Sequence, residues 1–597
     1  MQNTEAQAKC FLGVESSLSG KRWVVKESDE RAALALAQKI GVPEIIGRVL
    51  SARGVGLDEA AHFLNPSLKS TLPDPSHLLD MEEGAERLAS AVMQGEKIAI
   101  FGDYDVDGAT SSALLFRFFT AVGAKVQIYI PDRMKEGYGP NEAALIALRD
   151  QGASVVVTVD CGTTSFVPLK AASDCGLDVI VVDHHKAEPK LPTANAIINP
   201  NRLDEDSPHT QLAAVGVTFL LVVAVNRALR KAGWYKDGRP EPDLMRWLDL
   251  VALGTVCDVV PLIGINRALV MQGLKVMAFR TNPGLAALAD VAGVDEVPGA
   301  YHAGYILGPR INAGGRVGES GLGARLLSTD DGIEAKRIAE QLHAFNLERQ
   351  AIEATVLLQA EEQVETAGET GAPVVFAAGE GWHPGVIGIV ASRLKEKFNR
   401  PSCVVSLNGE TGTGSGRSIS GFDLGSAVIA ARQAGHLDKG GGHAMAAGFT
   451  VARDRLPQFR NFLIERMIAA MPNPSMPNLA LDGALKVAGA TTHLAQTLEQ
   501  VGPFGVGNPE PRFAIAAARL AYAEPVGRDQ AHLRCTLSSE DGSRLNAIAF
   551  RVMESDLGQA LVRHDGAPFH FAGRLRLNHW QGRTSAQLLI EDAAPVW

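Results

Sequence analysis

"EKIAIFGDYDVDGAT", residues 96–110, decides the fold of this chain. Its first half, "KIAIF", is an apolar run of strand length. Its second half places Asp103, Asp105 and Asp107 two positions apart and closes on Gly108. Outward from this stretch the chain alternates regularly. A helical pattern, "ATSSALLFRFFTAVG", leads to the strand "KVQIYI", the helix "GPNEAALIALRDQG" and the strand "SVVVTV". A short helix at 165–174 and the strand "LDVIVV" complete the series. Short apolar runs separated by helices predict an α/β domain with a mostly parallel sheet and right-handed crossovers.

Three of those four strands end in reactive side chains. The first delivers Asp103, Asp105 and Asp107. "SVVVTV" delivers Asp160, and "LDVIVV" delivers Asp183, His184 and His185. In an open parallel sheet the carboxyl ends of the strands share one crevice, so separation along the chain does not matter. Carboxylates gathered there repel one another and lose hydration unless a cation lies between them. Oxygen ligands with an imidazole suit Mn²⁺ or Mg²⁺ better than a thiol-seeking ion. Gly108 permits a tight turn into a helix whose amide end attracts anions. Asp258, in "GTVCDVVPL", reads equally as a helix-end cap or a ligand.

With 597 residues the chain exceeds what one hydrophobic core serves, and roughly three or four domains are expected. The apolar fraction of 46% and charged fraction of 21% exclude disordered and fibrous classes. A net charge of −10 argues against a uniformly basic nucleic-acid coat, though not against a local basic channel. The six scattered cysteines form no CxxC pair and read as free thiols in a reducing compartment. "MQNTEAQAKCFLGVESS" lacks the pattern of a signal peptide. "AAVGVTFLLVVAV", residues 213–225, is too short to span a bilayer and suits a buried helix.

The remaining organisation follows from composition and period. Residues 1–90 read as a helical lead-in and 91–330 as the domain carrying the acidic strand ends. Residues 331–370 read as a connecting helix, with Ile333, Ile338, Leu342 and Phe345 marking one face. A second α/β unit occupies 371–455, "AAMPNPSMPN" (469–478) is a linker, and 478–597 holds five or so short strands of a β-barrel. "GGGHAMAAG" (440–448) offers Gly441, Gly442 and His443, with Lys439 before them. It reads equally as a phosphate cradle or a strand-to-helix turn. "TGSGRSISG" adds Arg417 and Ser418, and "LGPRINAGGRVG" adds Arg310, Asn312 and Arg316. In "GRLRLNHWQGR", alternation sets Arg574 and Arg576 on one face near Trp580, a pattern that suits sequence-independent stacking of single strands.

"DYDVDG", "VDCG", "VVDHH" and "CDVVPL", followed by "LGPRINAGGR", "GWHPGVIGIVASRL", "GGGHAMAAG" and "FGVGNPEPRF", closely resemble the ordered motifs of the DHH/DHHA1 phosphoesterase superfamily. Within it the match is to the exonucleases specific for single-stranded DNA. The resemblance implies a DHH catalytic domain joined by a long helix to a DHHA1 domain, with an OB-like barrel at the C-terminus. It implies 5′→3′ degradation of single-stranded DNA to 5′-mononucleotides, in recombination and mismatch repair. It also implies two Mn²⁺ or Mg²⁺ ions held by Asp105, Asp107, Asp160, His184 and Asp258, with Asp160 shared. Asp183 would orient the histidines, and His185 would contact phosphate or donate a proton. Several superfamily members place a ligating His where this chain has Phe101, which leaves one ion short of a ligand or brings in Asp103. Arg417 and His443 would contact substrate phosphate, and Arg310 would line the passage. The implied partners are single-stranded DNA, a single-stranded-DNA-binding protein and a helicase. The implied setting is a cytoplasmic monomer, associated with the nucleoid and not with membrane. A phosphodiesterase of short oligonucleotides or cyclic dinucleotides, and a non-catalytic DNA-binding scaffold, are the alternatives.

Overall fold

A computed structural model describes residues 10–596, apart from 134, 237, 472–475 and 581. The first nine residues of the stretch 1–17 read for a signal peptide, and the centre of the expected linker, therefore lie outside the described residues. The chain forms two compact units. One holds residues 75–258 and 273–474, and the other holds residues up to 74, 259–272 and 475 onward.

The first unit contains two sheets. In the first, strands Lys97–Gly102, Lys125–Tyr129, Ala153–Val159, Asp178–Val182 and Ala196–Ile198 are all parallel. In space the Lys97–Gly102 strand lies between Lys125–Tyr129 and Ala153–Val159. The chain thus winds first to one side of its opening strand and then to the other, which opens a crevice beyond the carboxyl ends of Lys97–Gly102 and Ala153–Val159. Val155, Val156, Val157 and Val159 are buried, as a strand covered on both faces requires. "AAVGVTFLLVVAV" lies in the helix Ala214–Lys231, buried through most of its length. Among the described residues no helix is long and apolar enough to cross a membrane.

The second sheet has strands Val375–Glu380, Ser402–Asn408, Thr411–Arg417, Lys439–His443 and Ala446–Ala452. Only its first pair is parallel. The core of this sheet does not end at 455. The helix Leu456–Ala470 inserts Phe459, Leu463 and Met467 beside Phe449, because an isolated sheet face leaves its apolar side uncovered.

The helix Gly332–Thr366 is continuous for 35 residues, and Asp331 caps it by accepting hydrogen bonds from the Ile333 and Glu334 amides. At 1.5 Å per residue it is ~50 Å long. Ile338 and Leu342 are buried as expected and Phe345 is half-buried. Ile333, by contrast, is 84% exposed, since a spacing of five residues turns it off the Ile338–Leu342 stripe. Farther along, Val356, Ala360 and Val364 pack with Val375, Ala377 and Val390 of the second sheet and its helix Ile387–Phe398.

The second unit is a barrel of six strands, Gly483–Leu485, Phe513–Val526, His532–Ser538, Arg544–Ala549, Pro568–Trp580 and Arg583–Pro595. Pairing of Phe513–Val526 with Pro568–Trp580 closes it. The reading of residues 1–90 as a helical lead-in is corrected in two respects. Strand Arg22–Val25 pairs in parallel with Asn478–Leu481, and the buried Trp23 donates its indole N–H to Asp592 at 2.9 Å. Leu36, Ile46, Val49 and Leu50 share a core with Phe513 and Phe571 of the barrel. These short amphipathic helices bury their apolar faces only against a larger partner. The helix Met81–Gln94, inside the same expected span, belongs to the other unit.

Candidate metal centre

The sheet ladder itself assembles the site. Gly102 pairs with Val159, and Val159 with Val182, so the next residue on each strand falls in one row. The Asp103 amide donates to the Val159 carbonyl at 3.3 Å, that of Asp160 to Val182 at 3.0 Å, and that of Asp183 to Ile198 at 3.1 Å. All three side chains are buried. Asp160 holds φ at +62°, a left-handed conformation that short polar residues tolerate best. Gly108 is required by close approach, since a Cβ there would lie 2.4 Å from the Asp103 carbonyl oxygen.

Two helix starts sit at this edge, and their amides bind the chain's own carboxylates. Asp105 caps the helix Val106–Ala121, accepting from the Asp107 and Gly108 amides at 2.8 and 3.0 Å. Asp107 accepts from the Ala214 and Val215 amides at 2.6 and 2.9 Å, at the start of Ala214–Lys231. Asp258 ends the helix Leu248–Cys257 as its C-terminal capping residue, which meets the helix-end reading of it.

His184 Nε2 lies 3.4 Å from Asp160 Oδ1 and 3.6 Å from Asp258 Oδ2. Three triads of ligand atoms have members within 4.8 Å of one another: Asp103, Asp105 and Asp160; Asp107, His184 and Asp258; and Asp160, His184 and His185. Four buried atoms here make no hydrogen bond: Asp103 Oδ1, Asp160 Oδ1, His184 Nε2 and Asp258 Oδ2. Buried polar atoms are rarely left so. A convergent set of carboxylate oxygens with one imidazole nitrogen fits a hard divalent cation.

Electrostatics point the same way. Burial and the Asp105 charge push the Asp103 carboxyl up to about 8. Burial, then Asp105, push Asp107 to about 7, and burial with Asp107 and Asp105 pushes Asp258 to about 9. Asp160, crowded by Asp105, Asp107 and Asp103 after its own burial, is raised well above the usual range. Burial and the neighbouring His185 lower His184 to about 4, so its ring is neutral and its Nε2 lone pair is available.

Asp183 behaves differently. Burial works against its charge, but His185 and the amides of Thr163 and His185 hold it well below the ordinary carboxylate range. It accepts from the His184, His185 and Thr163 amides at 2.8, 3.1 and 3.0 Å, and it lies 2.8 Å from His185 Nδ1. Burial opposes the His185 charge, but the Asp183 bond outweighs it and raises that imidazole's pKa. Phe101 points into the sheet's apolar core beside Tyr129, and Asp103 occupies the edge next to Asp105 and Asp160.

The expected phosphate-contacting residues divide. Arg316, on the helix Gly308–Val317, donates to the Gly385 carbonyl at 2.8 Å. Burial, then the charges of Arg133, Arg349 and Arg417, lower it to about 10, with Asp105 acting the other way. Arg316 thus lies near Arg417 and two arginines that the sequence did not single out, and of these Arg316 and Arg133 feel the charge of the acidic row. Arg349 was detectable as a cation on the inner face of a long helix, and Arg133 stacks over Tyr104 at 4.8 Å. Arg310 donates to His343 at 3.2 Å and to the Ile306 carbonyl, and Asn312 is half-buried on the same helix.

Ser418 is corrected: its buried hydroxyl donates to the Phe422 carbonyl at 2.7 Å and fastens its own loop. The glycine run with Gly441, Gly442 and His443 is not a turn into a helix. It is the edge strand of a hairpin, Gly442 opposite Ala447 and an exposed His443 opposite Ala446. Arg574 and Arg576 are also corrected as open phosphate contacts. Arg576 Nε donates to Glu510 at 2.6 Å, and Arg574 bridges Glu510 and Glu591 at 3.3 and 2.5 Å, so their charge is spent within the barrel. Trp580 remains 70% exposed near the tip of the hairpin.

Three supporting residues escaped the sequence reading. Tyr138 donates its hydroxyl to the Asp160 carbonyl at 2.9 Å, and the glycines flanking it in "EGYG" were the available signal. Asn199 and Asn201, in "NPN" after the last strand, contact the backbone of the histidine pair.

A parallel sheet whose strand ends carry Asp-rich and Asp-His-His motifs, followed by a second, mostly antiparallel α/β sheet, defines a DHH-type phosphoesterase. The family model for the DHH family N-terminal domain matches residues 97–255, and that for the DHHA1 domain matches 371–469. The RecJ OB domain matches residues 481–592. The single-stranded-DNA-specific exonuclease RecJ of Escherichia coli (strain K12) is 36% identical over 585 residues, covering 96% of this chain and 98% of that protein. The Bacillus subtilis (strain 168) protein of the same name is 34% identical over 96% of this chain and 71% of its own length. The crystal structure of RecJ in complex with Mn²⁺ from Thermus thermophilus superposes with a TM-score of 0.79 at 29% identity, over 96% of this chain and 79% of that one. The chain belongs to the RecJ family.

Proposed function

We propose that this chain is a metal-dependent exonuclease that degrades single-stranded DNA 5′→3′ and releases 5′-mononucleotides, in recombination and repair including mismatch repair. The reading is carried by the convergence of Asp103 Oδ1, Asp160 Oδ1, His184 Nε2 and Asp258 Oδ2, four buried atoms without partners. Asp103, Asp105 and Asp160 would hold one ion, with Asp103 in place of the side chain missing at Phe101. Asp107, His184, Asp258 and the shared Asp160 would hold the other. When bound, two Mn²⁺ or Mg²⁺ ions supply Lewis acidity that activates water and offsets phosphodiester charge.

The protein groups have separate tasks. Neutral His184 would bind through Nε2, and Asp183, which raises the pKa of His185 and orients its ring, would let it protonate the departing 3′-oxygen. Arg316 and Arg417, with Arg133 near Arg316, would hold substrate phosphate, whereas the charge of Arg349 is met by Glu353. Trp580, exposed on the barrel, offers a stacking face to bases of single-stranded DNA. The family resemblance supports the polarity, monomeric action in a reducing cytoplasm, and recruitment by a single-stranded-DNA-binding protein and a helicase.

Digestion of end-labelled single-stranded and duplex DNA, with and without Mn²⁺, tests the proposal. Mononucleotides should appear from 5′-labelled single strands only when the ion is present. Release without metal, or equal attack on duplex, overturns it.

A further inference from the structure

We infer that Asn199 and Asn201 are positioning residues of the metal centre, fixing the His184–His185 dipeptide through its backbone. The inference rests on the metal-binding reading above and adds two residues to it.

The strand Asp178–Val182 ends just before the Asp-His-His motif, so His184 and His185 lie beyond the ladder that satisfies backbone groups elsewhere. Their amide and carbonyl groups still need partners in a half-buried edge. On one side the Asp183 carboxylate accepts from both histidine amides. On the other, Asn201 Nδ2 donates to the His184 carbonyl at 2.6 Å and Asn199 Nδ2 donates to the His185 carbonyl at 2.8 Å. Three side chains therefore hold all four polar backbone groups of the pair.

The asparagines are themselves fixed. Asn199 is fully buried, its Oδ1 accepts from the Asn201 amide at 2.7 Å, and its Nδ2 also reaches Thr163 Oγ1 at 2.9 Å. The Thr163 amide in turn donates to Asp183. Asn201 Nδ2 also donates to the Thr210 carbonyl at 3.1 Å. One network thus joins the strand ends carrying Asp160, Asp183 and the asparagines. The direction of each Cα–Cβ bond, and so the location of each imidazole, follows from the peptide planes that the two amides hold. Without them the dipeptide keeps its Asp183 contacts and the His184 ring its Leu212 backbone contact, but the carbonyl side of both peptide planes is released, so His184 Nε2 is held less firmly where it faces both Asp160 and Asp258. Supporting hydrogen bonds of this kind change metal affinity by roughly 10- to 100-fold.

The test measures Mn²⁺ binding to the full chain by the loss of the free-ion electron paramagnetic resonance signal, for Asn199→Ala, Asn201→Ala and, as reference, Asp160→Ala. Single-stranded-DNA turnover is measured in parallel. The asparagine variants should bind Mn²⁺ roughly 10- to 100-fold more weakly, with kcat lowered and KM for DNA unchanged. Asn201 is partly exposed, so its alanine variant tests the inference even where the buried Asn199→Ala fails to fold. Wild-type Mn²⁺ affinity and turnover in Asn201→Ala, with binding lost in Asp160→Ala, overturn the positioning role alone. Undiminished Mn²⁺ binding in Asp160→Ala overturns the metal-site reading beneath it.

Discussion

The metal-free protein should lose stability as pH rises from 6.5 to 8.5. Asp103, Asp107 and Asp258 have folded-state pKa values near 8, 7 and 9, against about 4 for an unfolded carboxyl. A carboxyl raised in this way favours the folded chain below the unfolded pKa, and that contribution drains as pH climbs through the folded value. His185, also raised, acts in the same direction. His184 is depressed to about 4, so its contribution is complete above its unfolded pKa and is silent in this window. Asp183, held low, is silent there too. The carboxyls share their mutual repulsion, so they are treated as a cluster retaining one proton. Each retained proton costs about 1.4 kcal/mol per pH unit, or roughly 3 kcal/mol across the window. At 1–2 °C per kcal/mol for a unit of this size, that is a fall in Tm of ~3–6 °C. Differential scanning fluorimetry in EDTA and in Mn²⁺ reads it directly. Mn²⁺ should raise Tm most at the alkaline end, because the ion takes the place of the proton. Asp103→Asn should flatten the metal-free slope. A metal-free Tm that is level or rising over this range would refute the charge-crowding argument.

Asp160→Ala should lower hydrolysis of single-stranded DNA at least about a thousandfold, as loss of several kcal/mol of metal-borne stabilisation requires, while DNA binding in EDTA persists. Gel-based turnover and anisotropy measure the two effects separately. Trp580→Ala should weaken single-strand binding by ~1–3 kcal/mol, roughly 5- to 150-fold, without changing Tm, since the ring is exposed; unchanged anisotropy titrations would remove Trp580 from the DNA path. Gly254→Ala should cost ~1–3 kcal/mol, because the new Cβ would stand 2.3 Å from Thr110 Oγ1 and 3.0 Å from Asp107 Oδ1. It should also weaken Mn²⁺ binding by displacing Asp107, which calorimetric titration would detect.

The sequence by itself determined the parallel sheet and the identity of the acidic centre. Those features are local: a strand is readable from its apolar run, and a residue that follows it must fall at its carboxyl end. The long helix was legible for the same reason, from an uninterrupted stretch without proline. What the tertiary structure decided were partnerships between distant segments. Arg574 and Arg576 read as open cations until Glu510 and Glu591 are folded against them. Ser418 read as a phosphate contact until its hydroxyl met the Phe422 carbonyl. Arg133 and Arg349 gained significance only through their nearness to Arg316. Residues before 74 found their core on a barrel that begins some four hundred positions later in the chain. Periodicity reports which face of an element is apolar, but the charge and hydrogen-bond state of a side chain depends on its neighbours in space, which only the folded chain brings together.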